Sequence, residues 1–247
     1  MLKMMKYEFI HSMRSFLLSF SIFWIACLLL PLFTGEYMPE IPVFSGLIIL
    51  GFTILMMGII IALFISIITR YYHSMFKRPA YLTLTLPVSS WQLIESKVIV
   101  SFLWLIIGFF ALLFGISLAA LMTALINHEV SLGFVLNTVI PDVVNNIIQK
   151  VFNDFPAFLN NSLIVAVGIY YTIISIYFSL TVVHTKICRR HRLVVALIIW
   201  FVLELFVSQL RGLMADTYII SIFFNLFVSV LLTVATVYII DRHIEIE

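Results

Sequence analysis

Residues 44–69 read FSGLIILGFTILMMGIIIALFISIIT and carry no charged side chain at any position. An α-helix needs about 20 mostly apolar residues to cross roughly 30 Å of hydrocarbon, so this stretch is long enough to span a membrane. The whole chain has a similar composition, with 63% hydrophobic and 11% charged residues. The sequence therefore predicts an all-α polytopic membrane protein. We expect 1–247 to form a single transmembrane domain, because no polar segment is long enough for a separate soluble one.

Apolar runs of this kind recur along the chain. They predict six transmembrane helices, at about 16–33, 44–69, 98–126, 162–183, 193–210 and 219–240. The second and third runs are longer than a span needs, so we expect these helices to tilt or to extend beyond the hydrocarbon.

The basic residues fall on one side when successive loops are assigned to alternate sides of the membrane. Of the 14 lysines and arginines, only Lys150 and Arg211 fall on the opposite side. The positive-inside rule places the basic side in the cytoplasm. We therefore expect a multi-pass protein of the cell membrane with both termini cytoplasmic, which an even number of spans requires.

Two segments outside the predicted spans have a helical periodicity of their own. At the N-terminus one helical face would carry Leu2, Met5, Phe9, Met13 and Phe16. This pattern predicts an amphipathic helix over 1–15 at the membrane interface. In 143–155, apolar pairs alternate with polar pairs, and Pro141 and Pro156 flank the segment. We predict a short external helix there, lying on the membrane or on the bundle.

The predicted cytoplasmic loop 70–97 is too apolar for a solvated connector. It combines basic flanks with apolar and aromatic anchors, which is typical of a docking surface. Pro87 interrupts it, and either Ser89 or Ser90 can cap a new helix that continues into the third span. The predicted docking residues are Lys77, Arg78, Tyr81, Leu82, Leu84, Leu86, Pro87 and Trp91.

The stretch Leu84-Thr85-Leu86-Pro87-Val88-Ser89, followed by a helix ending in Ser96-Lys97, resembles the permease subunits of ABC-2 type transporters, a bacterial exporter family. The resemblance implies an N-terminal elbow helix, six spans, and a cytoplasmic coupling helix between spans two and three. It also implies that the coupling helix docks on a separate ATPase, and that two permease chains, identical or homologous, assemble with two ATPases.

The chain contains no G-x-x-x-x-G-K-[ST] phosphate loop, so we expect no ATPase activity and no cofactor in this chain. The resemblance assigns ATP and Mg²⁺ to the partner ATPase. The histidines show no metal-ligand spacing, so no metal site is expected. Membrane lipids are the other expected partners, and no nucleic acid is expected.

Glu204 is the one acidic residue inside a predicted span. An ionised carboxylate in hydrocarbon is costly, so we expect it to face the bundle and to be paired or protonated. Asn225 should lie at a similar depth across the hairpin of spans five and six, and Ser208 lies one turn along the same helix. Two roles remain open for Glu204: a hydrogen-bonded tie to Asn225 or Ser208, or a part in substrate passage or proton coupling.

The sequence thus favours a permease subunit of an ABC exporter, in which ATP hydrolysis by a separate subunit drives outward movement of an amphipathic or hydrophobic substrate. Almost wholly apolar spans argue against a very hydrophilic cargo, and an amphipathic peptide is the favoured one. One alternative is a non-transporting membrane partner of an ATPase, with an immunity or signalling role. Another is an intramembrane enzyme that uses Glu204.

Overall fold

The computed structural model of the chain describes residues 2–29, 42–77, 89–126, 140–185, 191–214 and 218–243. These residues form seven helices and no strand: α1 Leu2–Leu29, α2 Pro42–Phe76, α3 Ser90–Ile126, α4 Ile140–Asn153, α5 Phe155–Val183, α6 Arg192–Met214 and α7 Tyr218–His243. All of them except α4 are long and apolar enough to cross a membrane. Within the described residues, the prediction of an all-α protein with six helices long and apolar enough to span a membrane is confirmed.

Most of the predicted loop 70–97 belongs to the helices on either side of it. α2 continues to Phe76 and α3 starts at Ser90, so only 78–88 lies outside the described residues in this region. The backbone N–H of Gln92 donates to Ser89 Oγ at 3.4 Å, and the N–H of Leu93 donates to the Ser89 carbonyl at 3.1 Å. Ser89 is therefore the N-cap of α3, one of the two predicted capping residues.

The N-terminal segment is not a separate elbow helix in the described residues. α1 runs without a break from Leu2 to Leu29, because no proline or glycine in this range interrupts its i→i−4 hydrogen bonds. The predicted apolar face is only partly buried: Phe16 is buried, whereas Met13 is 42% exposed. The buried stripe of α1 consists of Ser12, Phe16, Phe20, Phe23 and Cys27.

The helices divide into two compact units. The first comprises Met1–Ser12, Ile67–Leu103 and Leu159–Glu247, and the second comprises Met13–Ser66 and Trp104–Phe158. Because α1, α2, α3 and α5 each contribute to both units, each unit is described separately below.

In the second unit, α1 packs along α3 through large side chains. Phe16 stacks on Trp104 with 4.4 Å between ring centroids, and Trp24 Nε1 donates to the Ala111 carbonyl at 3.0 Å. A Cβ at Gly115 would lie 2.2 Å from the Phe23 ring, so only glycine permits this approach. Residues with higher numbers on α1 contact residues with higher numbers on α3, so the two helices run in the same direction. Spans one and three of a multi-pass protein are expected to do so.

In the first unit, α2 packs against α5 through stacked rings. Tyr71 stacks on Tyr177 with 3.8 Å between centroids, and the Tyr71 and Thr181 hydroxyls share a hydrogen bond of 2.8 Å. Phe76 stacks in the same way on His184, just beyond the end of α5. These helices also run in the same direction, which agrees with their places as spans two and four.

Candidate functional site

Three charged side chains meet in the first unit at the ends of α1, α2 and α3. Glu8 Oε2 accepts hydrogen bonds from Arg70 Nη2 at 2.6 Å and from Arg70 Nε at 3.2 Å. Glu8 Oε1 accepts one from Lys97 Nζ at 2.5 Å, and Lys97 Nζ also donates to Ser74 Oγ at 2.9 Å. We call Glu8, Arg70, Ser74 and Lys97 the Glu8 cluster. Its two cations lie on the two helices that 78–88 joins.

The Glu8 cluster is largely withdrawn from solvent. The side chains of Lys97, Arg70 and Glu8 are 3%, 14% and 21% exposed. A buried ammonium without a partner is very costly, and a carboxylate within hydrogen-bonding distance offsets most of that cost. The single carboxylate of Glu8 serves both cations, so the geometry of α1 relative to the ends of α2 and α3 depends on this residue.

The beginning of α3 is held by further polar contacts within the same unit. Hydrogen bonds join Ser90 to Asp241 of α7, Tyr170 of α5 to Glu95 at 2.8 Å, and Ser101 to Tyr177 of α5 at 2.6 Å. With Lys97, these contacts tie the first turns of α3 to four other helices. The first turns of α3, which follow 78–88, are therefore held in place by hydrogen bonds to other helices.

Two of the eight predicted docking residues fall within the described residues. Trp91 lies in the first turn of α3 and is 42% exposed. Lys77 is partly exposed at the end of α2, with its Nζ 5.5 Å from the centroid of the Tyr72 ring and 3.4 Å from His73 Nε2. The other six, which lie outside the described residues, are Arg78, Tyr81, Leu82, Leu84, Leu86 and Pro87.

Glu204 lies partly exposed on α6 and is hydrogen-bonded to α5. Ser175 Oγ donates to Glu204 Oε1 at 3.2 Å, and Trp200 Nε1 donates to the same Ser175 Oγ at 3.1 Å. Farther along α6, the guanidinium of Arg211 lies 5.9 Å from the ring centroid of Tyr171, also on α5. The polar contacts of α6 in this region are thus made with α5.

The structure does not place Glu204 on either of its two predicted partners. The Ser208 hydroxyl is exposed and donates to the Leu205 carbonyl of its own helix at 2.8 Å. Asn225 is buried on α7, and its Oδ1 has no hydrogen-bond partner within the described part of the chain. Counting residues from a hairpin gives the depth of a side chain but not its direction around the helix, so the hydroxyl of Ser175 on α5 was missed.

Sequence reasoning also missed the Glu8 cluster. It treated Arg70 and Lys97 only as charges that set the orientation, and it assigned no role to Glu8. A signal was present, because Glu8, Ser12, Phe16 and Phe20 follow one another at four-residue intervals and so share a helix face. The burial of Phe16 and Phe20 then requires Glu8 to point toward other helices.

No group of three histidine, cysteine, aspartate or glutamate side chains that could hold a metal ion occurs among the described residues. Comparison of the chain with protein-family models, with curated proteins and with solved structures yields no match in any of the three.

Proposed function

We propose that this chain is the permease subunit of an ATP-driven exporter of the ABC-2 type. It would lie in the cell membrane with both termini in the cytoplasm, pair with a second permease chain, and bind a separate ATPase that holds ATP and Mg²⁺. The observation that carries the proposal is the Glu8 cluster, which joins the helices on both sides of 78–88 to α1.

The proposed ATPase contact consists of 78–88 and the exposed start of α3. This short segment contains three leucines and one tyrosine, follows Lys77 and begins with Arg78, and is followed by Trp91, which is 42% exposed. Interfaces gain most of their binding free energy from a few such aromatic and aliphatic anchors, surrounded by a polar rim. The composition therefore suits a compact docking contact with another protein.

The Glu8 cluster would carry motion from this contact into the membrane. Coupling between distant sites travels through packed and hydrogen-bonded side chains on rigid elements. Arg70 and Lys97 lie a few turns from the ends of 78–88 and share one carboxylate, so a displacement of that segment moves α2, α3 and α1 together. The contacts of α3 with α5 and α7 extend this movement to two more spanning helices.

The composition of the spanning helices bears on the cargo. They expose mainly Leu, Ile, Phe and Val, and ionisable groups are rare among their exposed side chains. A highly hydrophilic substrate would find few polar groups to replace its water of hydration. An amphipathic or hydrophobic molecule, with an amphipathic peptide as the favoured case, fits these surfaces better.

Co-purification with an ATPase tests the proposal. The tagged chain, extracted in mild detergent from its own host, should retain an ATP-hydrolysing partner. Trp91→Asp or Leu86→Asp should release that partner while the chain remains inserted, because a buried charge at the contact costs a few kcal/mol. The matched control is Tyr7→Asp, which changes an aromatic residue that is 72% exposed on α1. Retention of the ATPase at wild-type levels by both Trp91→Asp and Leu86→Asp contradicts the docking role.

Reconstitution of the complex in vesicles separates transport from the alternatives. We expect an amphipathic peptide substrate to stimulate ATP hydrolysis and to accumulate on the side opposite the ATPase. An ATPase that binds but never responds to substrate would favour the immunity or signalling role. Turnover of a substrate by the chain without any ATPase would favour the intramembrane enzyme.

A further inference from the structure

The helix α4 has sharply separated apolar and polar sides. At helical spacing, Ile148, Val151 and Phe152 fall on one side, and Asp142, Asn145, Asn146, Gln149, Lys150 and Asn153 fall on the other. At 100° per residue, neither group intrudes on the arc of the other. Such separation requires two different surroundings along the two sides of the same helix.

The structure shows that α4 is exposed on both sides. Ile148 and Phe152, on the apolar side, are 47% and 75% exposed, and Asn146 and Gln149 on the polar side are exposed as well. An apolar patch left open in this way is costly in water and marks a contact surface. The described helices of the chain leave these two side chains uncovered.

Chain connectivity indicates what covers the apolar side of α4. Only Asp154 separates α4 from α5, and α5 is long and apolar enough to span a membrane. The C-terminal end of α4 is thus joined to the N-terminal end of α5, so a spanning α5 holds α4 on one side of the membrane and near its surface. Phe155 and Phe158, in the first turn of α5, are also each 48% exposed and extend the apolar surface of α4.

The charges of α4 also suit a lipid surface. Its polar side combines one aspartate and one lysine with amide side chains, so it carries no strong net charge and is suited to water. Pro156 has no N–H and breaks the hydrogen-bond ladder between the two helices, which gives the chain a place to turn. A helix with these properties lies in the plane of the membrane interface.

We propose that α4 binds the surface of the lipid bilayer. It lies among the headgroups, with Ile148 and Phe152 directed toward the acyl chains and with Asn146, Gln149 and Lys150 directed toward water. With the proposed topology this surface is the outer leaflet. The lipid contact itself rests on the structure of α4 and its connection to α5, so it does not depend on the proposed transport function.

Depth-dependent fluorescence quenching in the full-length protein tests this proposal. Starting from a chain without its native cysteines, Ile148→Cys and Phe152→Cys are labelled with an environment-sensitive fluorophore, with Asn146→Cys and Gln149→Cys as matched controls on the same helix. The proteins are reconstituted in vesicles of phosphatidylcholine and phosphatidylglycerol. We expect nitroxides on the acyl chains to quench the first pair several-fold more than the second, and aqueous iodide to show the reverse order.

Each other outcome overturns the proposal. Equal quenching of Phe152→Cys and Asn146→Cys by iodide, with little quenching of either by the acyl-chain nitroxides, would mean that both sides of α4 face water. Protection of Phe152 from both quenchers would mean that protein covers it, and loss of that protection on dilution to one chain per vesicle would identify a second copy as the cover. Ile148→Cys gives an independent reading if Phe152→Cys impairs insertion.

Discussion

Glu8 and Glu204 lie in opposite surroundings, although both belong to helices that are long and apolar enough to span a membrane. Glu8 accepts hydrogen bonds from a guanidinium and an ammonium group, at 2.6 Å and 2.5 Å. Glu204 accepts a hydrogen bond from the neutral Ser175 hydroxyl at 3.2 Å, and no ion pair to it occurs among the described residues. One carboxylate therefore neutralises charge, whereas the other serves as a hydrogen-bond acceptor.

This difference distinguishes two roles of a carboxylate in a long apolar helix, charge neutralisation and hydrogen-bond acceptance, which the sequence alone does not distinguish. A carboxylate between a buried cation, Lys97, and a half-buried one, Arg70, cannot be replaced by a neutral group without leaving charge uncompensated. A carboxylate that only accepts a hydrogen bond can be replaced by an amide of the same shape. We therefore expect Glu8 to be essential to the folded arrangement of α1, α2 and α3, and Glu204 to tolerate neutral substitution.

The largest expected effect is that of Glu8→Gln. It leaves Lys97 buried without a counter-charge and also removes the partner of the half-buried Arg70, so we expect the free energy of unfolding to fall by about 3–5 kcal/mol. Thermal unfolding of the purified protein in detergent measures this loss, and Arg14→Gln, which removes an exposed charge of the same helix, is the control. The double variant Glu8→Met/Lys97→Met should recover part of the loss, because it removes the unpaired ammonium. A Glu8→Gln protein as stable as the control would show that the cluster contributes little.

A smaller effect is expected at Glu204. Glu204→Leu removes the acceptor for Ser175 and should destabilise the α5–α6 pair by roughly 1 kcal/mol, the scale of interhelical hydrogen bonds in membranes. Glu204→Gln keeps an oxygen in place of Oε1, so we expect both unfolding and reconstituted transport to match the wild type. Loss of transport by a stable, assembled Glu204→Gln protein would instead show that the ionisable group takes part in function.

The smallest effect is expected from Ser175→Ala. This change removes the hydroxyl that donates to Glu204 and accepts from Trp200, but it leaves the carboxylate of Glu204 in place. We expect a loss of about 0.6 kcal/mol, the average for such bonds in a membrane protein. Ser208→Ala is the control, since that hydroxyl bonds only within its own helix. If Ser175→Ala proved as damaging as Glu8→Gln, the contrast between the two carboxylates would fail.

Much of the fold followed from local sequence. The six long apolar helices, the short helix α4 and the cap at Ser89 depend on apolar run length, periodicity and the capping chemistry of one serine, which are properties of neighbouring residues. The helix ends were less accurate. α1 was divided at its charged residues, although charge alone does not stop a helix when the backbone hydrogen bonds can continue.

The sequence by itself thus determined how many helices are long and apolar enough to cross a membrane, because this depends on the cost of exposing backbone and charge to hydrocarbon. Only the tertiary structure decided that Glu8 joins Arg70 and Lys97, and that Glu204 meets Ser175 and not Asn225. Such pairs lie 62, 89 and 29 positions apart in the chain. Their contact depends on which helices are neighbours and on the rotation of each about its axis, and local periodicity specifies neither.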